Sequence, residues 1–258
     1  MTTFIFLLKL ILAPALVSSA SLAGRRWGPA ISGWLIGLPL TTGPVIFFLA
    51  LQQGTPYAAT AALGTLSGAI SLSLFTLGYS WLAQYCRWPL TVGLSGALFL
   101  LTTFILRQLT FAAAPLFLSA LAVVVMALRL MPPTQAGPGQ PQMPLPGWDL
   151  PARVLIATTI VIVLTGISPW LDPRLAGLLA TFPIYTTIVA AFAQHLQGFA
   201  AAVRVQQGVL VGMSAFAFFY LILTVTLEPW GVLFAFACAI AVAVPIQIGS
   251  LLLLRRLE

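Results

Sequence analysis

The run Gly37-Leu-Pro-Leu-Thr-Thr-Gly-Pro44 puts two prolines, two glycines and two hydroxyls into eight residues. Proline removes a backbone donor and clashes with the preceding turn, so an apolar helix carrying this run breaks at its middle. Carbonyls freed by the break need a polar partner, and Thr41 and Thr42 add hydroxyls at the same point. Pro39, Thr41, Thr42, Gly43 and Pro44 are therefore candidates for holding a small solute or an ion. A milder version of the device recurs at Phe182-Pro-Ile-Tyr-Thr-Thr187, which offers Pro183, Tyr185, Thr186 and Thr187. The plainer alternative is a pair of packing kinks whose threonines bond back to the preceding turn.

Few other residues carry chemistry. His195 is the single histidine and follows Gln194. Imidazole titrates near neutrality, so this pair is either a gate at the mouth of a pathway or a polar helix end at the headgroup level. Gln52 and Gln53 would line the opposite mouth. Lys9 and Arg153 read as bases snorkelling from helix starts. Asp149, Asp172, Glu228 and Glu258 all fall between apolar segments or at the terminus, which argues against a carboxylate proton relay. Cys86 and Cys238 lack metal-ligand spacing, and no phosphate-binding loop is present, so no cofactor is expected. A separate ATPase partner stays open. Gly93-Leu-Ser-Gly96 looks like the GxSG nucleophile motif of rhomboid proteases, and His195-Leu-Gln-Gly198 looks like their histidine motif. That resemblance implies a Ser95–His195 dyad for nucleophilic catalysis. Rhomboids place the two motifs close in sequence, whereas about a hundred residues separate them here.

The elements that must position these residues follow from composition. Hydrophobic residues make up 60% of 258 positions, charged residues 6%, and the mean hydropathy is +1.08. An average soluble domain carries roughly a quarter charged residues. Four acids, eleven bases and one histidine cannot cover a water-facing surface. The expected fold is an all-α polytopic membrane protein, with the lipid bilayer as its chief partner. The net charge of +7 comes from bases standing singly or in pairs between apolar runs, the pattern of topology signals and not of nucleic-acid binding. The first apolar run lacks a positive start and is followed by Arg25 and Arg26, so it reads as a transmembrane helix and not a signal peptide.

Nine spans are predicted, at about 4–24, 29–51, 57–84, 88–106, 109–130, 152–170, 174–195, 202–226 and 230–254. Residues 132–150 form a linker too rich in Pro, Gly and Gln for a packed element. They divide a five-span region, 1–131, from a four-span region, 151–258. In this arrangement Pro39 to Pro44 lie ~15–22 Å from a helix start near residue 29, mid-depth in a ~30 Å core. Arg25, Arg26, Arg87, Arg129, Arg153, Arg204, Arg255 and Arg256 fall on one side, against Lys9, Arg107 and Arg174 on the other. Eight bases against three put the linker and the C-terminus in the cytoplasm and the N-terminus outside. A bacterial inner membrane is the expected location.

The two regions align without gaps at a displacement of 144 (183 − 39). Pro29 meets Pro173, Gly33 meets Gly177, Pro39 meets Pro183 and Thr42 meets Thr186. Gln53, Gly54, Gly64, Gly68 and Phe75 meet Gln197, Gly198, Gly208, Gly212 and Phe219. Apolar chains align easily on Leu and Ala, and far less easily on Pro, Gly and Gln. The displacement covers five spans, and an odd number turns the second copy upside down. The plan thus resembles inverted-repeat secondary transporters, which implies a binding site at the paired broken helices and transport by alternating access. The expected solute is small, and anionic or neutral, because the spans hold no acid. A carrier or flippase is the leading reading, and a scaffold or assembly partner without transport is the alternative. Gly64-x-x-x-Gly68 and Gly208-x-x-x-Gly212 are close-packing steps and carry no chemistry themselves.

Overall fold

Pro29, Pro56 and Pro89 each stand in the first turn of a helix, where the missing N–H had no intrahelical partner to lose. The computed structural model describes residues 2–39, 42–109, 112–133, 148–167 and 181–257. Among these residues the chain is helical throughout and contains no strand. The helices are α1 (Thr2–Trp27), α2 (Pro29–Ile36), α3 (Thr42–Gln53), α4 (Thr55–Tyr85) and α5 (Trp88–Gln108). They continue with α6 (Ala113–Arg129), α7 (Asp149–Ile167), α8 (Ile184–Gln197) and α9 (Phe199–Leu257). Thr55–Tyr85, Trp88–Gln108 and Phe199–Leu252 are long and apolar enough to cross a membrane.

These nine helices do not map one-to-one onto the nine predicted spans. The second span is two helices, α2 and α3, with Gly37–Pro39 following α2 among the described residues and Thr42, Gly43 and Pro44 forming the first turn of α3. The eighth and ninth join directly as the two arms of α9, with a non-helical Gly231 at φ 73°, ψ 174° between them. There the chain doubles back, so that Gln247 lies beside Gly212. Thr41, Asp172, most of the linker and residues 174–180 of the predicted seventh span lie outside the described residues.

Helix junctions recur at the displacement found in the sequence. Gly54 separates α3 from α4 at φ 89°, ψ 166°, and Gly198 separates α8 from α9 at φ 90°, ψ 175°. The two are 144 apart (198 − 54), and both occupy backbone space that a Cβ strongly disfavours. Arg87, which caps α5, stands 144 before Gly231 (231 − 87).

Among the described residues, helices α4 and α9 make the most extensive contact, followed by α9 with α2. The first segment of α9 runs parallel to α2. Gly33 of α2 abuts Val205 and Val209, and Gly37 abuts Val209 and Gly212. The same segment runs antiparallel to α4, because Gln194, five residues before α9 begins, bonds the carbonyls of Ala83 and Cys86 at the end of α4. The interior of α4 is rich in hydroxyls: Ser67, Ser71, Ser73, Thr76 and Ser80 are all buried. Ser67, Ser73, Thr76 and Ser80 donate to the carbonyl four residues earlier, which satisfies them without a neighbour. The outside is apolar instead. Leu233, Phe234 and Leu252 of α9 are 76%, 69% and 63% exposed.

Candidate functional site

The first break is built by local chemistry. Helix α2 closes with the Gly37 N–H on the Gly33 carbonyl at 2.9 Å, and the Leu38 N–H then makes a longer bond of 3.3 Å to the Leu35 carbonyl, three residues back. Helical bonding resumes when the Gly43 N–H reaches the Pro39 carbonyl at 2.8 Å. Thr42 is buried, and the Tyr220 hydroxyl donates to its Oγ1. Gly43 faces the ring of Phe219, and Pro44 is half-buried. Thr42 and Gly43 therefore meet one patch of α9, Phe219-Tyr220, while Gly37 meets Val209 and Gly212 further back on the same helix.

At the second break Pro183 adopts φ −78°, ψ 53°, close to an inverse γ-turn, and the Ile184 N–H bonds the Phe182 carbonyl at 2.8 Å. Helix α8 then begins with Thr187 bonding the Pro183 carbonyl. Thr181, just before the break, packs on Gly68 of α4. Pro183 and Thr186 are buried, and Thr187 Oγ1 has no hydrogen-bond partner among the described residues. Tyr185 is half-buried against Val17, Ile184 and Ile188. The discontinuous helices are neighbours, since α2 touches α8.

Gln194 and His195 lie at the opposite end of α4 from Gln52 and Gln53. The 31 residues of α4 separate the two ends by ~46 Å. Gln52, Gln53 and His195 are exposed, and the His195 ring sits near Trp88 at 6.3 Å between centroids. Gln194 is fully engaged. Its Nε2 donates toward the carbonyls of Ala83 and Cys86 and toward Thr91 Oγ1, while its Oε1 accepts from the Tyr79 hydroxyl at 2.9 Å. It closes the end of α4 by supplying donors that the last carbonyls lack.

The structure does not bring Ser95 and His195 together as a dyad. Ser95 is buried and donates to the Thr91 carbonyl at 2.7 Å, while His195 stays with Trp88, seven residues or about 10 Å along the α5 axis from Ser95. Comparison with protein-family models, curated proteins and solved structures finds no match to this chain. The site must be read from its own chemistry.

Two readings of charge need correction. Asp149 is not in a loop: it stands in the first turn of α7 and is fully buried. It accepts from Arg153 Nε at 2.8 Å and from Arg25 at 3.1 Å. Arg153 does not snorkel to water. It is 4% exposed, its guanidinium lies 4.9 Å from the Phe192 ring centre, and it reaches Ser21 at 3.5 Å. An Asp four residues before an Arg was visible in the sequence, and burial is what that spacing failed to announce. Tyr220 was also missed, although its counterpart at a displacement of 144 is another hydroxyl residue, Thr76 (220 − 144).

Proposed function

We propose that the chain is a polytopic membrane carrier or flippase, built from two inverted copies of one unit, that moves a small neutral or anionic solute by alternating access. The observation that carries this reading is a pair of contacts. Gly37, at the first break, packs on Gly212 of α9, and Thr181, at the second, packs on Gly68 of α4. Adding 144 to 37 gives 181, and adding 144 to 68 gives 212. The two contacts are one contact made twice with the units exchanged, as a two-fold relation requires.

The direction of the helices supports inversion. Helix α4 and the first segment of α9 are counterparts under the displacement, yet they run antiparallel. An axis along the membrane normal would leave counterparts parallel, whereas an axis in the membrane plane reverses them. Membrane insertion is supported by the apolar exterior over a hydroxyl-rich interior, the reverse of a water-soluble bundle. Two such units of near-equal energy rock between outward-open and inward-open states around the broken helices, where freed backbone groups face the solute.

The test is a thermal-shift screen of purified protein against small solutes, repeated with Thr42→Val/Thr186→Val. The substitutions keep side-chain shape and remove the two equivalent hydroxyls. We expect a stabilising solute for the wild type and about tenfold weaker binding in the double variant, the loss of about 1.4 kcal/mol of solute contact. A folded double variant that binds the solute as the wild type does would leave the prolines as packing kinks and remove the site.

A further inference from the structure

The seam between α4 and α9 contains amide groups that no described neighbour satisfies. Gln206 is 0% exposed, and neither its Nε2 nor its Oε1 has a partner among the described residues. Gln84 Nε2 is likewise buried and unpartnered. Ser73 Oγ lies 3.7 Å from Met213 Sδ, which fixes the register of the two antiparallel helices. Seven residues onward on α4 and seven back on α9 bring Ser80 level with Gln206 on the facing stripes. Gln84 follows one turn later on the stripe of Ser73 and Ser80. The nearby hydroxyls do not compensate as donors, because Ser73, Thr76 and Ser80 all give their protons to α4 carbonyls. Gln206 also lies close to the first break. Val209 and Gly212, which hold Gly37, are three and six residues along α9, or ~5–9 Å.

Buried polar groups are almost always paired, and each exception needs a cause. Packing supplies none here. The repeat places alanine, Ala62 (206 − 144), at the equivalent position of α4. We infer that Gln206 and Gln84 are solute-binding side chains, and that the solute presents oxygen acceptors to them. The two unpaired NH₂ groups call for oxygen acceptors, and the Gln206 carbonyl can take a donor in return. The stripe residues named here carry no charge, which favours a neutral or singly anionic molecule over a cation. This inference names the solute class for the carrier proposed above and rests on that reading for the solute's route.

Three measurements on the full chain test it. Gln206→Leu removes both unpaired groups at similar volume, and without added solute it should melt about 2–4 °C higher than wild type. A fall of that size would mean that the amide is already satisfied in the resting protein, which overturns the site. Gln206→Cys, made in a chain whose Cys86 and Cys238 are serine, tests access with a membrane-impermeant maleimide in vesicles of both orientations. Labelling is expected from both faces, and acetate (anionic) or acetamide (neutral) at high millimolar concentration should slow it about twofold as the site half-fills. Absence of labelling from both faces overturns the site. Labelling that neither probe slows overturns the solute class. Labelling from one face alone keeps the site and removes the alternating-access reading.

Discussion

Asp149 is a single buried carboxylate holding two arginines. Removing one partner of a buried ion pair leaves the other charge uncompensated, at a cost of about 3–5 kcal/mol. Asp149→Asn should therefore lower the melting temperature steeply, whereas Arg25→Gln, at a side chain 32% exposed, should cost about 1 kcal/mol or less. Equal effects would mean that Arg25 shares the burial of Arg153. The Tyr220–Thr42 bond makes a second residue-scale prediction. Thr42→Val strands the Tyr220 hydroxyl and should cost about 1 kcal/mol in thermal melts, and Tyr220→Phe less, since Thr42 can bond back within its own chain. The sequence made one half of each interaction legible. Asp149 and Arg153 are one helical turn apart, but Arg25 is 124 residues away, and Thr42 and Tyr220 are separated by 178. Side chains that meet only after the whole chain packs leave no local spacing to read.

Close helix crossing depends on which glycines face a backbone. A Cβ on Gly33 would collide with the Val205 carbonyl, and one on Gly208 with the Ala30 carbonyl. Gly33→Ala and Gly208→Ala should each destabilise by about 1–3 kcal/mol or more, because backbone must shift to admit the methyl. Gly96 faces open space, so Gly96→Ala should be neutral or stabilise by up to ~1 kcal/mol through helix propensity. Comparing the three melting temperatures checks this directly, and a Gly33→Ala variant as stable as wild type would refute the crossing. Gly208 and Gly212 were legible as a packing step, because four-residue spacing puts both on one helix face. Their partners on α2 and just after it, Ala30, Trp34 and Gly37, were not, since nothing local ties α2 to α9. The break in the second span was legible from its prolines. The tight fold-back at Gly231 was legible only as a boundary between spans, because nothing in one sequence reveals a positive φ at a glycine.

For the whole molecule, the proposed orientation puts the Arg-rich end in the cytoplasm. Arg25 and Arg153 share Asp149, Trp148 stacks near Phe192, the Trp81 indole donates to the Leu130 carbonyl, and Gln194 binds the end of α4. Reporter fusions after Pro138 and after Arg256 should both read cytoplasmic, and an external signal at either would break the parity on which inversion rests. The composition revealed the helical class, because 6% charge leaves no alternative surface. The junctions at Gly54 and Gly198 stand 144 residues apart, and both take a positive φ that favours glycine. The seam around Gln206 escaped notice because its neighbour in space, α4, lies more than a hundred residues away in the chain.

The joints also have a kinematic consequence. Gly28, Gly54, Cys86-Arg87, Gly198 and Gly231 are connections of one or two residues. A linkage with such short joints has little slack, so a helix cannot slide or tilt alone without dragging the neighbour tied to its end. Helices α1 and α2 therefore behave as one articulated chain, α3 to α5 as another, and α8 with both arms of α9 as a third. The long joint that the sequence provides between the second and the third is the proline-rich stretch from 132 to 150. Severing the chain there and co-expressing the two pieces should leave each with its internal couplings whole, able to reassemble by docking Gly37 on Gly212 and Thr181 on Gly68.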